Sequence, residues 1–177
     1  MRGRLKTPDV HAEVFKQLTD SLKTSQVTDV DFSSCGIGAV ALGHLSDWVR
    51  DTTAALKSLT VDSTGDMKAQ KTYTLTAAED RIELSQKNLG SADVGLLTAW
   101  LQRPEVSAVL TSISCLMNPI GEEDLATLVA AVKDSSVRSI CGLTDGQDTA
   151  DFSSPGMGLK PFDLKILKAE FDFSGAI

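Results

Sequence analysis

Few side chains in this chain are able to do chemistry, and their spacing suits it poorly. His11 and His44 are the two histidines, both on predicted helices. Neither has a cysteine or carboxylate at a metal-ligand spacing such as HxxxH or HExxH. Cys35, Cys115 and Cys141 show no CxxC spacing, which favours packed thiols over disulfides or metal ligation. Gly36-x-Gly38 and Gly156-x-Gly158 hint at phosphate cradles, but each lacks the third glycine of a dinucleotide fingerprint and the lysine-Ser/Thr pair of a P-loop. Acidic pairs stand at Asp29/Asp31, Glu79-Asp80 and Glu122-Glu123. Glu122 to Asp124 open a predicted helix, where exposed N–H groups stabilise negative charge. Asp29 and Asp31 flank Val30 and should share the open face of a strand, where they suit a cation or a basic partner. Two carboxylates without further oxygen ligands make a weak metal site. No nucleophile elbow and no Cys/His pair is present. The expectation is a protein without catalysis and without a cofactor or metal.

The elements that would carry these residues follow from a repeated phrase. It reads Val30-Asp-Phe32-Ser-Ser-Cys35-Gly-Ile37-Gly38, then Ile82-Glu-Leu84-Ser-Gln-Lys87-Asn-Leu89-Gly90, then Ile113-Ser-Cys115-Leu-Met-Asn118-Pro-Ile120-Gly121. A degenerate fourth copy runs from Ala150 through Phe152 and Pro155 to Gly158. After each of the first three glycines, apolar residues fall at offsets +4, +7, +10 and +11: Leu42, Leu45, Trp48 and Val49, then Val94, Leu97, Trp100 and Leu101, then Leu125, Leu128, Ala131 and Val132. That spacing is one face of an α-helix. Each unit is therefore a short strand, a turn and an amphipathic helix.

Strand, Asn/Cys position, glycine and helix recur together, and this resembles the leucine-rich repeat family, in its long-unit, ribonuclease-inhibitor-like form. The resemblance covers Val27 to Phe173 and implies an α/β solenoid, with a curved parallel sheet and helices on the convex side. It implies side chains at the sixth phrase position that bond backbone groups in the turn, with Cys35 and Asn118 matching and Lys87 and Pro155 departing. The closing glycine is expected to permit a tight bend into the helix.

The spacing is irregular. Ile82 and Ile113 lie 31 residues apart, but Val30 and Ile82 lie 52 apart. The excess holds a predicted strand at Leu59-Thr-Val61, a polar loop, and an alternating strand at Thr72–Thr76, read as a β-arm insertion. The expected organisation is one domain over 1–177, with a partial helix unit at 1–24, irregular insertions at 62–81 and 144–149, and an incomplete repeat at 170–177. In the last of these, Phe171 and Phe173 start another strand phrase, and solenoid ends need capping. That predicts either a fragment of a longer repeat protein or a C-terminal edge that docks onto a partner.

Bulk properties narrow the partner. The net charge of −7 argues against broad nucleic-acid or anionic-membrane binding. No apolar run approaches the roughly 20 residues of a membrane span. Met1 to Lys6 is basic without a following apolar stretch, so no secretory signal is visible, and the cysteine usage fits an intracellular, cytoplasmic or organellar setting. The function expected is protein–protein interaction, as a scaffold or accessory subunit. The alternative, implied by the resemblance, is a regulator that inhibits or activates a partner enzyme such as a nuclease or small GTPase. The expected contact residues are those pointing outward from the strands: Asp29, Asp31 and Ser33; Arg81, Glu83 and Ser85; Ser112, Ser114 and Leu116, with Met117 beside them. Leu116 and Met117 are apolar where solvent is expected, which suits a small hydrophobic anchor.

Overall fold

The computed structural model describes residues 7–144, 146–153 and 158–174. The fourth phrase, whose positions 154–157 carry Pro155, therefore lies partly outside the described residues, as do the ends of the 1–24 and 170–177 units. The chain runs α1 (Ala12–Leu22), β1 (Asp29–Asp31), α2 (Ala39–Asp51), β2 (Ser58–Asp62), β3 (Thr72–Thr76), β4 (Arg81–Glu83), α3 (Ser91–Leu101), α4 (Pro104–Ser107), β5 (Ser112–Ser114), α5 (Glu122–Lys133) and α6 (Pro161–Ser174).

The expected repeat solenoid with one curved parallel sheet is not what forms. The described residues make a mixed α/β structure with six helices and two small sheets, of order β1-β2-β3 and β4-β5. Two local events break the sheet. After β2 the chain turns back, and β3 pairs antiparallel along all of β2, from Ser58↔Thr76 to Asp62↔Thr72. That occupies the edge β4 would have needed. Beyond β5, residues 139 and 141 make only isolated bridges to Ser112 and Ser114, because Gly142 adopts a left-handed φ of +80° and turns the chain away. Parallel pairing survives in two places, Val30↔Leu59 and Ile82↔Ile113.

Behind the sheets the helices pack in chain order, α1 on α2, α2 on α3, α3 on α5 and α5 on α6. The offsets that predicted their apolar face are the buried ones: Leu42, Leu45, Trp48 and Val49 are fully buried, as are Leu128 and Trp100. Trp100 also donates its indole N–H to the Thr76 carbonyl across 3.3 Å, tying α3 to β3. The first helix is packed along only part of its apolar face. Phe15 and Leu22 pack on the core, with Phe15 edge-on to Phe32, but Val10, Val14 and Leu18 stay exposed.

The helix starts show what the closing glycines do. Gly38, Gly90 and Gly121 are extended, with φ of −110°, −114° and −91°, so no left-handed bend calls for them. Space does: a Cβ on Gly38 would sit 2.4 Å from Asp9 Oδ2, and one on Gly90 would sit 2.9 Å from Gly65 Cα. The fifth residue of each of the first three phrases is left-handed, Ser34, Gln86 and Met117, and so is the seventh in two of them, Gly36 and Asn88. A carboxylate then meets the exposed N–H groups of each helix. Asp9 accepts from Gly38, Val40 and Ala41, and Asp124 accepts from Gly121. Asp93 is almost fully buried and accepts from Gly90 N, Thr64 N, Thr64 Oγ1 and Tyr73 OH.

Burial raises the Asp93 carboxyl above its ordinary value of 3.8, against the lowering effect of those four donors. A raised value in the folded state means that folding favours the protonated form. The stability Asp93 contributes is therefore full below 3.8 and is lost as pH rises through its folded value. Asp93→Asn keeps an acceptor toward Gly90 and Thr64 and turns its amide toward Tyr73. In urea titrations from pH 3 upward, wild type minus variant should show a stability difference that falls with rising pH. A flat difference would overturn this assignment.

Candidate interaction surfaces

The two sheets present their open faces differently. On β1-β2-β3 the face opposite the helices carries Asp29 and Asp31, then Ser58, Thr60 and Asp62, then Thr72, Thr74 and Thr76, while Val30, Leu59, Val61, Tyr73 and Leu75 turn inward. Asp29, Asp31, Thr72 and Thr74 are exposed. Hydrogen bonds fix the carboxylates in place. Asp29 accepts from the Thr28 and Ser58 hydroxyls at 2.7 and 2.8 Å, and Asp31 accepts from Ser33 N at 2.8 Å. Asp62 accepts from Ser34 N and Thr72 Oγ1 at 2.7 and 2.6 Å. The same donors hold the Asp29 and Asp31 carboxyls below the ordinary range, so both stay ionised. Among the described residues none of the three is in an ion pair.

On β4-β5 the open face is partly covered by the chain itself. After Cys141 the backbone curls over it: Arg81 Nη2 donates to the Gly142 carbonyl at 2.8 Å, and Ser112 Oγ donates to the Leu143 carbonyl at 3.4 Å. Ser112 and Ser114 are buried as a result, and so is Leu116 at 3% exposure. The expectation that these three face solvent is therefore overturned, and with it the hydrophobic anchor at Leu116. Arg81 and Glu83 remain exposed, and Ser85 is half-buried with its hydroxyl against that of Ser114. Ser33 is half-buried in the turn after β1, and Met117 is half-buried with its N–H on Asp163. The predicted contact residues thus fall on two separate surfaces, Asp29, Asp31 and Ser33 on one and the rest on or under the other.

Among the described residues the sixth phrase position bonds turn backbone at Asn118 and, weakly, at Cys35. Asn118 Nδ2 donates to the carbonyls of Leu84, Cys115 and Leu116, and Oδ1 accepts from Leu89 N. Cys35 fills that role weakly: the residue is exposed and its thiol donates to one turn carbonyl, that of Ser33, at 3.6 Å. In the second unit the seventh residue, Asn88, takes over and bonds Asp66 and Ala69, clamping the loop between β2 and β3. None of the thiols is primed as a nucleophile. Burial pushes Cys115 up to about 12, with Glu83 and Glu170 adding to it, and burial raises Cys141 as well. Cys35 is raised by partial burial and then by Asp31 and Asp62. Among the described residues no group of three or more His, Cys, Asp or Glu could hold a metal ion.

The C-terminal edge is corrected outright. Residues 161–174 form one helix, so Phe171 and Phe173 present no strand edge. Asp163, Ile166 and Glu170 are all but fully buried, and their spacing is a helical face that runs straight through the presumed strand phrase. Asp163 accepts from Met117 N and Lys160 N, and Glu170 accepts from Ile140 N and Cys141 N. Helix α6 thus covers that end of the core, with Phe173 packed against it and Phe171 half-exposed.

Sequence reasoning missed Asp62, Asp93, Asp163 and Glu170. For Asp93 a signal existed, since Gly90-x-x-Asp93 repeats as Gly121-x-x-Asp124, the register of a cap and the third helical residue. Among the described residues no helix is long and apolar enough to cross a membrane. No protein-family model matches the chain, and a search of the curated proteins finds no match.

Proposed function

We propose that this chain is a non-catalytic protein-interaction module whose contact face is the open side of β1-β2-β3, and that its partner is basic. The observation that carries this reading is the row of hydrogen-bonded carboxylates at Asp29, Asp31 and Asp62 on an accessible strand face. Their side chains are already ordered, so a partner's lysines and arginines meet fixed acceptors at little entropic cost. A net charge of −7 adds long-range steering toward such a partner. If that partner is an enzyme, the module regulates it through the same face.

The test is co-purification on the immobilised chain from its native source at low and raised salt, compared with Asp29→Asn/Asp31→Asn. Asp31→Asn keeps the oxygen that accepts from Ser33 N, and Asp29→Asn keeps one hydroxyl's acceptor while its amide donates to the other hydroxyl oxygen, so the fold is expected to persist. A partner lost both with salt and with the double variant supports the acidic face. A partner retained under both conditions overturns it.

A further inference from the structure

The curl of the chain over β4-β5 leaves a groove of about 460 Å³ between that sheet and Gly142, Leu143, Gln147 and Ala150 to Phe152. Its size is that of a ligand pocket. Its lining is mixed: exposed Ala150 and half-buried Phe152 give apolar surface beside the polar Ser85, Gln86 and Gln147, with Leu116 and Leu143 buried beneath. Its charged lining is of one sign: Glu83 and Asp151, both exposed, with no lysine or arginine among the lining residues. Glu83 Oε1 accepts from Ser85 N, and Asp151 Oδ1 accepts from Ser153. Among the described residues the second oxygen of each has no hydrogen-bond or ion-pair partner.

We propose that this groove takes the side chain of a lysine or arginine presented by a partner polypeptide, with the stem on Ala150 and Phe152 and the charged head on Glu83 and Asp151. The amphipathic lining decides the class. An aliphatic stem gains from leaving water only against apolar surface, while its cationic head stays at the wet rim beside acceptors. A neutral aliphatic group leaves the carboxylates unused, and an acidic one meets like charge. Arg81 does not fill the site, because its Nη2 is committed to the Gly142 carbonyl. The groove belongs to the other sheet from Asp29 and Asp31, so the two sites are tested separately.

Calorimetric titration with blocked single residues reads the site without knowledge of the partner. Acetyl-arginine and acetyl-lysine methylamides are expected to bind saturably, and the norleucine and glutamate analogues are not. Glu83→Gln/Asp151→Asn keeps the oxygens that accept from Ser85 and Ser153, and is expected to weaken the cationic probes at least about tenfold. Asp29→Asn/Asp31→Asn is expected to leave them unchanged. A blocked tripeptide centred on arginine should bind more tightly than agmatine, as a polypeptide occupant requires. Equal binding of norleucine, an unweakened groove variant with an unchanged thermal melt, or agmatine binding as tightly as the tripeptide would each overturn the proposal.

Discussion

Asn118→Leu is expected to lower the unfolding free energy by about 3–5 kcal/mol, read from urea denaturation at neutral pH. Asn118 is buried, and its amide satisfies four backbone groups, the carbonyls of Leu84, Cys115 and Leu116 and the N–H of Leu89. Leucine has nearly the same shape, so little packing volume changes. The Cys115 carbonyl and the Leu89 N–H then have no partner among the described residues, while the Leu84 and Leu116 carbonyls keep the N–H groups of Lys87 and Gln86; each unpaired buried group costs on the order of 1–3 kcal/mol. The four groups lie on two successive turns, those after β4 and after β5, so the side chain joins one unit to the next. Asn118→Asp isolates the donor half of the effect. It preserves the acceptor for Leu89 but sets a carboxylate oxygen against three carbonyls, and it should be at least as damaging as leucine. A leucine variant within about 1 kcal/mol of wild type would show that the turn re-pairs without the amide.

Asn118 is also where the sequence was most legible. The repeated phrase implied that the side chain at this position bonds turn backbone, and Asn118 does so. The helices were readable for a related reason: offsets of +4, +7, +10 and +11 are dictated by helix geometry alone, whatever the neighbours do. What could not be read was which strand pairs with which. Pairing depends on edges being free, and the edge of β2 is taken by β3 from its own hairpin. The alternation at Thr72–Thr76 announced a strand without saying where it lies. Phe171-Asp-Phe173 failed differently. Three residues fit a strand as well as a helix, and only the longer spacing through Asp163, Ile166 and Glu170 decides between them. The contact face was half legible. Alternation placed Asp29 and Asp31 outward on β1 correctly, but no local pattern told that Gly142 would turn the chain back over Ser112, Ser114 and Leu116.

Glu170→Ala is expected to cost about 3–5 kcal/mol and to loosen the wall of the groove, whereas Glu170→Gln should cost about 1 kcal/mol or less. Glu170 is 1% exposed on α6, and its Oε2 accepts from Ile140 N at 2.7 Å and Cys141 N at 3.2 Å. Those two N–H groups sit where the chain leaves β5's edge and cannot find strand partners, because pairing there stops at single bridges. The carboxylate replaces the missing strand. Alanine removes the acceptor and opens a cavity beside Ile166, while glutamine can present its carbonyl oxygen to the same donors. Hydrogen exchange separates the two outcomes. In the alanine variant the amide of Ile140 should exchange much faster than those of Ile113 and Leu128, that of Cys141 less so because it also donates to Ser139 Oγ at 3.2 Å, and the cationic probes should bind the groove more weakly. If those amides keep their protection in the alanine variant, the strap is held by the Gly142 and Leu143 carbonyl contacts to Arg81 and Ser112 instead, and α6 serves only to cover the core.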